Sequence, residues 1–384
     1  MTDPKPFEFV DDEAGLRRVS KELARADRIA VDTESDSMHS YFEKVCLLQI
    51  ATLDRAFLID PLALNGKVVD LGDAFADPSK TKILHGADYD VVCLKRDFDF
   101  EIRNVFDTMI AAQCLDHPKI GLADLVSEYF GATLDKRHAR TNWARRPLTD
   151  SELDYSYLDV KYLIELREIL TGELRDGDVY EEAEMEFRRL EEREAASREF
   201  DPDGYRRIRG SKDLSDVQRS VLRELHLMRD RQARNIDRPP FKVLANDTLL
   251  RISRGRPRTR NELRGIKGVT SYLLRRYGDQ LMKAVAHGVE RGRPPDPKPR
   301  KKRRGSRRLS PRQQRQLEAL RDWRKGRAAE RGVPTLVVLP NHAILEVVTG
   351  SPRTVEDLGA LGTVGEKRAR LHGEEILEVL REYA

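Results

Sequence analysis

At 384 residues the chain exceeds one ordinary domain, and a prior of about 150 residues per domain predicts two or three modules. Hydrophobic residues make up 39% and charged residues 35%, enough apolar material for cores within a heavily charged surface. No run of about 18 apolar residues occurs and MTDPKPFEFV has no leader-like pattern, so membrane insertion and secretion are disfavoured. Cys46, Cys93 and Cys114 form no CxxC pair, which argues against a disulfide frame or a zinc site and predicts a reducing, cytoplasmic setting. The net charge of +4 does not mark a polyanion binder by itself, but its distribution is informative. Residues 173–194 are densely acidic, while 291–308 read RGRPPDPKPRKKRRGSRR.

In chain order, strands are predicted at 28–34 (RIAVDTE), 45–52 (VCLLQIAT), 56–60 (AFLID) and 81–85. Helices are predicted near 88–96, 107–115, 122–130 and 149–170. This alternation predicts an α/β domain with a mixed sheet, spanning 1–204.

Beyond about residue 205 the strand signals fade and apolar residues recur at helical spacing. Leu222, Leu225, Arg229, Ala233, Pro239, Leu244, Asn246 and Leu250 recur as Leu317, Leu320, Arg324, Ala328, Pro334, Leu339, Asn341 and Leu345, each 95 residues on (317 − 222 = 95). Pro257, Arg258, Thr259, Leu263 and Gly278 continue the match as Pro352, Arg353, Thr354, Leu358 and Gly373. Two copies of one small all-α domain are expected, at 211–290 and 309–384, with 291–308 an extended basic linker.

Residues two apart on a strand share a face, so Asp32 and Glu34 project together while Val31 and Thr33 point away. Adjacent acids at the end of an apolar strand must be solvated, paired or metal-bound, and oxygen-rich sites suit Mg²⁺ or Mn²⁺. In DYSYLD, Tyr155 and Asp159 are four apart and share a helix face. In HGADYD, Asp88 and Asp90 lie about 200° apart around a helix, so only one of them can face the same site. An N-cap role for Asp88 would leave Asp90 as the ligand. Asp36 shares strand parity with Asp32 and Glu34 and is a rival, although its segment reads as loop. His85, ending a buried strand, reads as a hydrogen-bonded structural residue.

VDTE at 31–34, VCLLQIAT, HGADYD followed by VVCL, VFDTMIAAQ at 105–113 and RPLTDSELDYSYLDVKYL at 146–163 together resemble ribonuclease D, within the DEDD exonucleases. The tyrosine four residues before the last aspartate matches the DEDDy branch, and the repeats resemble HRDC domains. The resemblance implies a ribonuclease H-like fold, with Asp32, Glu34, Asp90 and Asp159 holding two Mg²⁺ or Mn²⁺ ions and Asp88 as a cap. Tyr155 is then expected to position the attacking water, since a phenol of ordinary pKa about 10 is a poor base at neutral pH. It further implies a 3′-5′ exoribonuclease acting on RNA, with transfer-RNA precursors carrying 3′ extensions as substrates, nucleoside 5′-monophosphates as products, and a monomeric chain. A DNA-directed exonuclease is the alternative within enzymes. A non-catalytic nucleic-acid-binding scaffold is the alternative outside them, although all four acids and the tyrosine are present.

For substrate contacts, the first repeat clusters arginines around GIKG at 265–268, with Arg258 and Lys267 as candidates. Trp143, Arg145 and Arg146 precede the last motif and are placed to stack on or pair with the strand, with a core position the alternative for Trp143. The second repeat, richer in acids such as Glu374, Glu375 and Glu378, reads as mainly structural.

Overall fold

The computed structural model describes residues 6–135, 137–195, 199–297 and 309–383. The chain forms two compact units: Met1–Ser35 with Val45–Ala196 and Arg303–Ala384, and Asp36–Lys44 with Ser197–Lys302.

The first unit is built on a mixed six-stranded sheet. In chain order its elements are β1 (Glu8–Val10), α1 (Glu13–Arg25), β2 (Arg28–Ser35), β3 (Val45–Ala51), β4 (Ala56–Ile59), α2 (Gly72–Ala76), β5 (Thr81–Leu84), α3 (Asp88–Phe98), β6 (Val105–Asp107), α4 (Thr108–Cys114), α5 (Leu122–Phe130), α6 (Asp150–Lys161), α7 (Leu163–Asp176) and α8 (Tyr180–Glu191). The strand order is β1-β4-β3-β2-β5-β6, with β3 antiparallel to both β2 and β4 and the other pairs parallel. The expected mixed α/β sheet is therefore present. β1 and α1 lay outside the sequence reading, and the helix expected from residue 107 begins one residue later, after strand β6. The long helix expected at 149–170 is broken at Tyr162 and its second half runs on to Asp176.

Every residue of β3 is buried, which its apolar run requires of a strand covered on both faces. One face carries Ala30, Leu47, Ala51, Leu58 and Ile83 against Val160, Leu163 and Leu170 of α6 and α7. The other carries Ile29, Val31, Leu48 and Ile50 against Leu16 and Val19 of α1 and Val91 and Leu94 of α3. The C-terminal end of β2 thus lies between a layer holding α6 and a layer holding α3. Its ladder with β3 slips between Glu34 and Ser35, where regular pairing ends.

The second unit contains α9 (Asp216–Asn235), α10 (Pro240–Val243), α11 (Asn246–Gly255), α12 (Arg260–Arg264) and α13 (Ser271–Arg291). It also takes in residues 36–44. Asp237 accepts hydrogen bonds from the Ser40 hydroxyl at 2.7 Å and the amides of Tyr41 and Phe42 at 2.9 and 3.1 Å, and the Tyr41 hydroxyl donates to Asp230 at 2.7 Å.

The second repeat follows as α14 (Pro311–Arg331), α15 (Thr335–Val338), α16 (Asn341–Gly350), α17 (Val355–Gly359) and α18 (Gly365–Glu382). The first four begin 95 residues after α9 to α12 (311 − 216 = 95; 355 − 260 = 95). Ser215 and Ser310 each close a capping box, and Arg229 and Arg324 donate to the carbonyls of Leu244 and Leu339 at 2.9 and 2.8 Å. The copies share an internal frame, but the second is not a free-standing module. Lys367 Nζ lies 3.0 Å from both Asp178 and Glu182, Arg368 donates to the Met185 sulfur at 3.4 Å, and Val337 joins the core around Phe106 and Phe187. The acidic stretch at 173–194 supplies this receiving surface. Of the expected basic linker, residues 298–308 lie outside the described residues; Arg291 is the last residue of α13.

Candidate active site

Asp32 and Glu34 leave β2 on the α6 side of the sheet, and α6 presents Asp159 to them. Carboxylate oxygens of Asp32, Glu34 and Asp159 lie within 4.8 Å of one another, and all three residues remain partly accessible. Asp90, in the first turn of α3, reaches the same strand end from the opposite layer. Thr33, whose side chain the alternation directs away from Asp32, donates its hydroxyl to Asp90 at 2.5 Å. The fourth acid is thereby tied to the strand that bears the first two.

A second carboxylate holds α3 in place. Asp107 accepts from the amides of Gly86 and Ala87 at 3.0 and 2.7 Å and from those of Met109 and Ile110 at 2.8 and 3.1 Å. It caps α4 while pinning the turn that enters α3. That turn needs Gly86, whose φ is +67° and where an added Cβ would meet Met109 at 3.1 Å. His85 takes the structural place expected of it, Nδ1 2.9 Å from the Thr108 hydroxyl.

Four acids gathered without a cation oppose their own ionisation. Burial, then Asp90, Asp159 and Glu34, pushes the Asp32 carboxyl well above its usual range, and burial with Asp159 and Asp90 does the same to Glu34. Asp90 rises to about 6 through burial, against the lowering hydrogen bond from Thr33. Asp159 rises to about 7 through burial and the charge of Asp90. Among the described residues no lysine or arginine is ion-paired with any of the four. An all-oxygen donor set of this kind fits hard divalent cations such as Mg²⁺ or Mn²⁺. Tyr155, one helical turn before Asp159 and half-buried, has its phenol pushed up by burial and by Asp159, Glu34 and Asp32, so it stays protonated and can donate.

Several expectations need correction. Asp88 does not cap α3: Ala87 is the N-cap, and the exposed Asp88 side chain pairs with Arg193. Asp36 cannot compete as a ligand, because its carboxylate accepts from the Lys44 amide at 2.8 Å and pairs with Lys44 Nζ at 2.6 Å. Trp143 is 1% exposed and packs with its ring centroid 6.1 Å from that of Tyr155, so it has no free face for a base. Arg146 forks onto Asp60 at 2.6 and 2.7 Å and donates to the carbonyls of Trp143 and Cys46, which makes it structural. Arg145 is half exposed but its guanidinium donates to Glu152 at 2.8 Å, the residue that closes the capping box of α6. Arg258 and Lys267 are both exposed on the second unit.

Two residues escaped the sequence reading. Asp107 followed by TMIAA is an N-cap signal, obscured when Asp107 is counted as the first residue of the helix. Gln49 stands opposite Asp32 in the β2–β3 register, fully buried, with neither amide atom hydrogen-bonded to a described residue. Its only sequence signal is a polar residue within an apolar run.

Residues 7–175 match a 3′-5′ exonuclease family model, and 218–285 and 313–380 each match the HRDC domain, again 95 residues apart (313 − 218 = 95). A ribonuclease D from Desulfotalea psychrophila is 31% identical over 72% of this chain and 74% of its own length, and one from Zymomonas mobilis is 31% identical over 72% and 71%. An exosome complex component 10 homolog from Caenorhabditis elegans is also 31% identical, but the match spans only 32% of it. The solved catalytic core of RRP6 from Trypanosoma brucei matches with a TM-score of 0.67 and 29% identity, over 76% of this chain and 82% of that one. Escherichia coli RNase D shares the fold along 99% of this chain and 100% of its own, with a TM-score of 0.69 at 24% identity. With its acids gathered at the end of β2 and its two helical repeats, the chain belongs to the ribonuclease D family of 3′-5′ exoribonucleases, carrying two HRDC domains.

Proposed function

We propose that the chain removes nucleotides from the 3′ end of RNA by two-metal-ion hydrolysis, releasing nucleoside 5′-monophosphates, and that transfer-RNA precursors with 3′ extensions are its substrates. The observation that carries this is the convergence of Asp32, Glu34 and Asp159 within 4.8 Å, with Asp90 reaching the same strand end. Asp32, Glu34, Asp90 and Asp159 would hold two Mg²⁺ or Mn²⁺ ions. Such ions acidify an attacking water and stabilise the leaving 3′ oxygen of an in-line displacement.

The chain's own residues do the rest. Tyr155, kept protonated, donates a hydrogen bond that orients the attacking water. Trp143 packs beside the Tyr155 ring, and the Thr149 capping box fixes the helix that presents both Tyr155 and Asp159. Arg258 and Lys267, exposed on the first repeat, make phosphate contacts that hold substrate without reading its sequence.

The test is incubation of a 3′-extended transfer RNA with Mg²⁺, following product length and released mononucleotide, beside a DNA strand of matched sequence. Stepwise 3′ shortening of the RNA with 5′-monophosphate release is expected, and Asp32→Asn should abolish it in a protein that stays folded. Near wild-type turnover by Asp32→Asn, or preferential loss of the DNA strand, would overturn the proposal.

A further inference from the structure

Ser151, Tyr155 and Asp159 follow one another at four-residue intervals on α6 and so line one face of it. The stripe ends on the acids at Asp159. At its other end, in the first turn of the helix, the Ser151 hydroxyl lies 2.8 Å from Nε2 of His138. His138 belongs to the segment between α5 and α6, and its Nδ1 lies 3.3 Å from the Thr141 hydroxyl. Both ring nitrogens are therefore engaged, and the imidazole is held in one orientation. It meets the Tyr155 ring edge to face, with centroids 5.8 Å apart and planes at 66°. The same segment brings Asp135 near enough for its charge to add to the rise of the Tyr155 phenol.

Tyr155 thus has two ring neighbours, and they differ in kind. Trp143 is 1% exposed and belongs to the core that α6 and α7 cover, so the packing of the whole domain fixes it. His138 is half-buried, between the exposed Arg137 and Ala139, and the hydroxyls of Ser151 and Thr141 anchor it. An imidazole with both nitrogens committed to hydroxyls is not placed to carry protons for the reaction. What it offers is a ring contact on the phenol. The Tyr155 hydroxyl sits at the far end of its side chain, so a small rotation of that side chain displaces the donor. A displacement of about 1 Å in a positioned group can cost roughly 100-fold in rate.

We propose that His138 is a positioning residue for hydrolysis: with Trp143 it clamps the Tyr155 ring, so that the phenol hydroxyl meets the attacking water. Ser151 and Thr141 set the imidazole, and the imidazole sets the phenol. The proposal rests on the water-orienting role of Tyr155 given above and adds the residue that holds it to that role.

The test uses the full chain and four variants: His138→Ala, Ser151→Ala, Tyr155→Phe and the double variant His138→Ala/Tyr155→Phe. In His138→Ala the single-turnover rate at saturating RNA should fall roughly 10- to 100-fold. RNA affinity, measured in an Asp32→Asn background that prevents cleavage, should be unchanged. Ser151→Ala, an exposed change that a helix accepts, frees Nε2 and should lower turnover in the same selective way by a smaller factor. In the Tyr155→Phe background His138→Ala should have no further effect, because the hydroxyl it positions is already gone. Wild-type turnover in both His138→Ala and Ser151→Ala overturns the proposal. So does an equal fall from His138→Ala in the presence and absence of the Tyr155 hydroxyl, which would make His138 a support of the fold alone, and so does a loss confined to RNA affinity, which would make it a substrate contact. Wild-type turnover by Tyr155→Phe would instead overturn the water-orienting role of Tyr155 itself.

Discussion

Thr33 donates its hydroxyl to the Asp90 carboxylate at 2.5 Å, joining the strand that carries Asp32 and Glu34 to the helix that carries the fourth acid. The bond opposes the rise that burial imposes on the Asp90 carboxyl. Thr33→Val keeps the shape and removes the donor. It should lower the melting temperature by a few degrees and, if Asp90 is a metal ligand, raise the Mg²⁺ concentration for half-maximal turnover by roughly 10- to 100-fold, the usual cost of losing a group that orients a ligand. Rate against Mg²⁺ concentration measures this, and an unchanged half-saturating concentration would contradict it.

Tyr155→Phe removes only a hydroxyl that burial and the surrounding acids keep protonated. Turnover should fall by roughly two to four orders of magnitude with RNA affinity retained, the range for a positioned proton-handling group. Single-turnover rates and binding titrations separate the two; a variant impaired only in affinity would show that the hydroxyl acts on substrate binding.

The raised acids give a pH dependence with a definite sign. Free carboxyls titrate near 4, whereas in the folded protein Asp90 titrates at about 6 and Asp159 at about 7. Between those limits the metal-free fold binds more protons than the unfolded chain, so its stability falls as pH rises from about 4 to about 7 and stays low above. Asp159→Asn should flatten that fall and melt several degrees above the parent near pH 8 in EDTA, yet gain less from Mn²⁺. Thermal melts with and without metal across the range check both arms.

Gln49 is buried opposite Asp32 with its amide unpaired among the described residues, a cost of about 1–3 kcal/mol. Gln49→Leu should therefore raise the melting temperature of the metal-free protein by a few degrees. A lower melting temperature would mean that the amide is already satisfied in solution.

Lys367 meets Glu182, whose side chain is 1% exposed, at 3.0 Å. Lys367→Met strands that carboxylate and should destabilise the contact by about 3 kcal/mol, releasing residues 309–384 early in limited proteolysis. Lys367→Met combined with Glu182→Gln should recover most of the loss. Equal instability in the single and double variants would assign the effect to packing alone.

Periodicity and order of motifs were enough to read the mixed α/β domain, the helical half and its 95-residue duplication. Each rests on local patterns: strand parity for Asp32 and Glu34, one helical turn for Tyr155 and Asp159, and a repeat whose register never slips before Gly373. Tertiary structure decided the rest, because it depends on register and packing between distant segments. The β2–β3 register sets Gln49 against Asp32, and the β5–β6 pairing brings Asp107 to the turn that carries Asp90. Asp88 reads as a cap locally, and only the fold brings Arg193 to it, 105 residues away. Trp143 reads equally as a substrate contact or a core residue, and Arg146 as a substrate contact, because a large ring and a cation look available in a sequence. Packing against Tyr155 and pairing with Asp60 occupy them. The two repeats are near copies in pattern, and their different fates lie in substitutions such as Tyr272 for Lys367, whose meaning appears only once one face is buried and the other exposed.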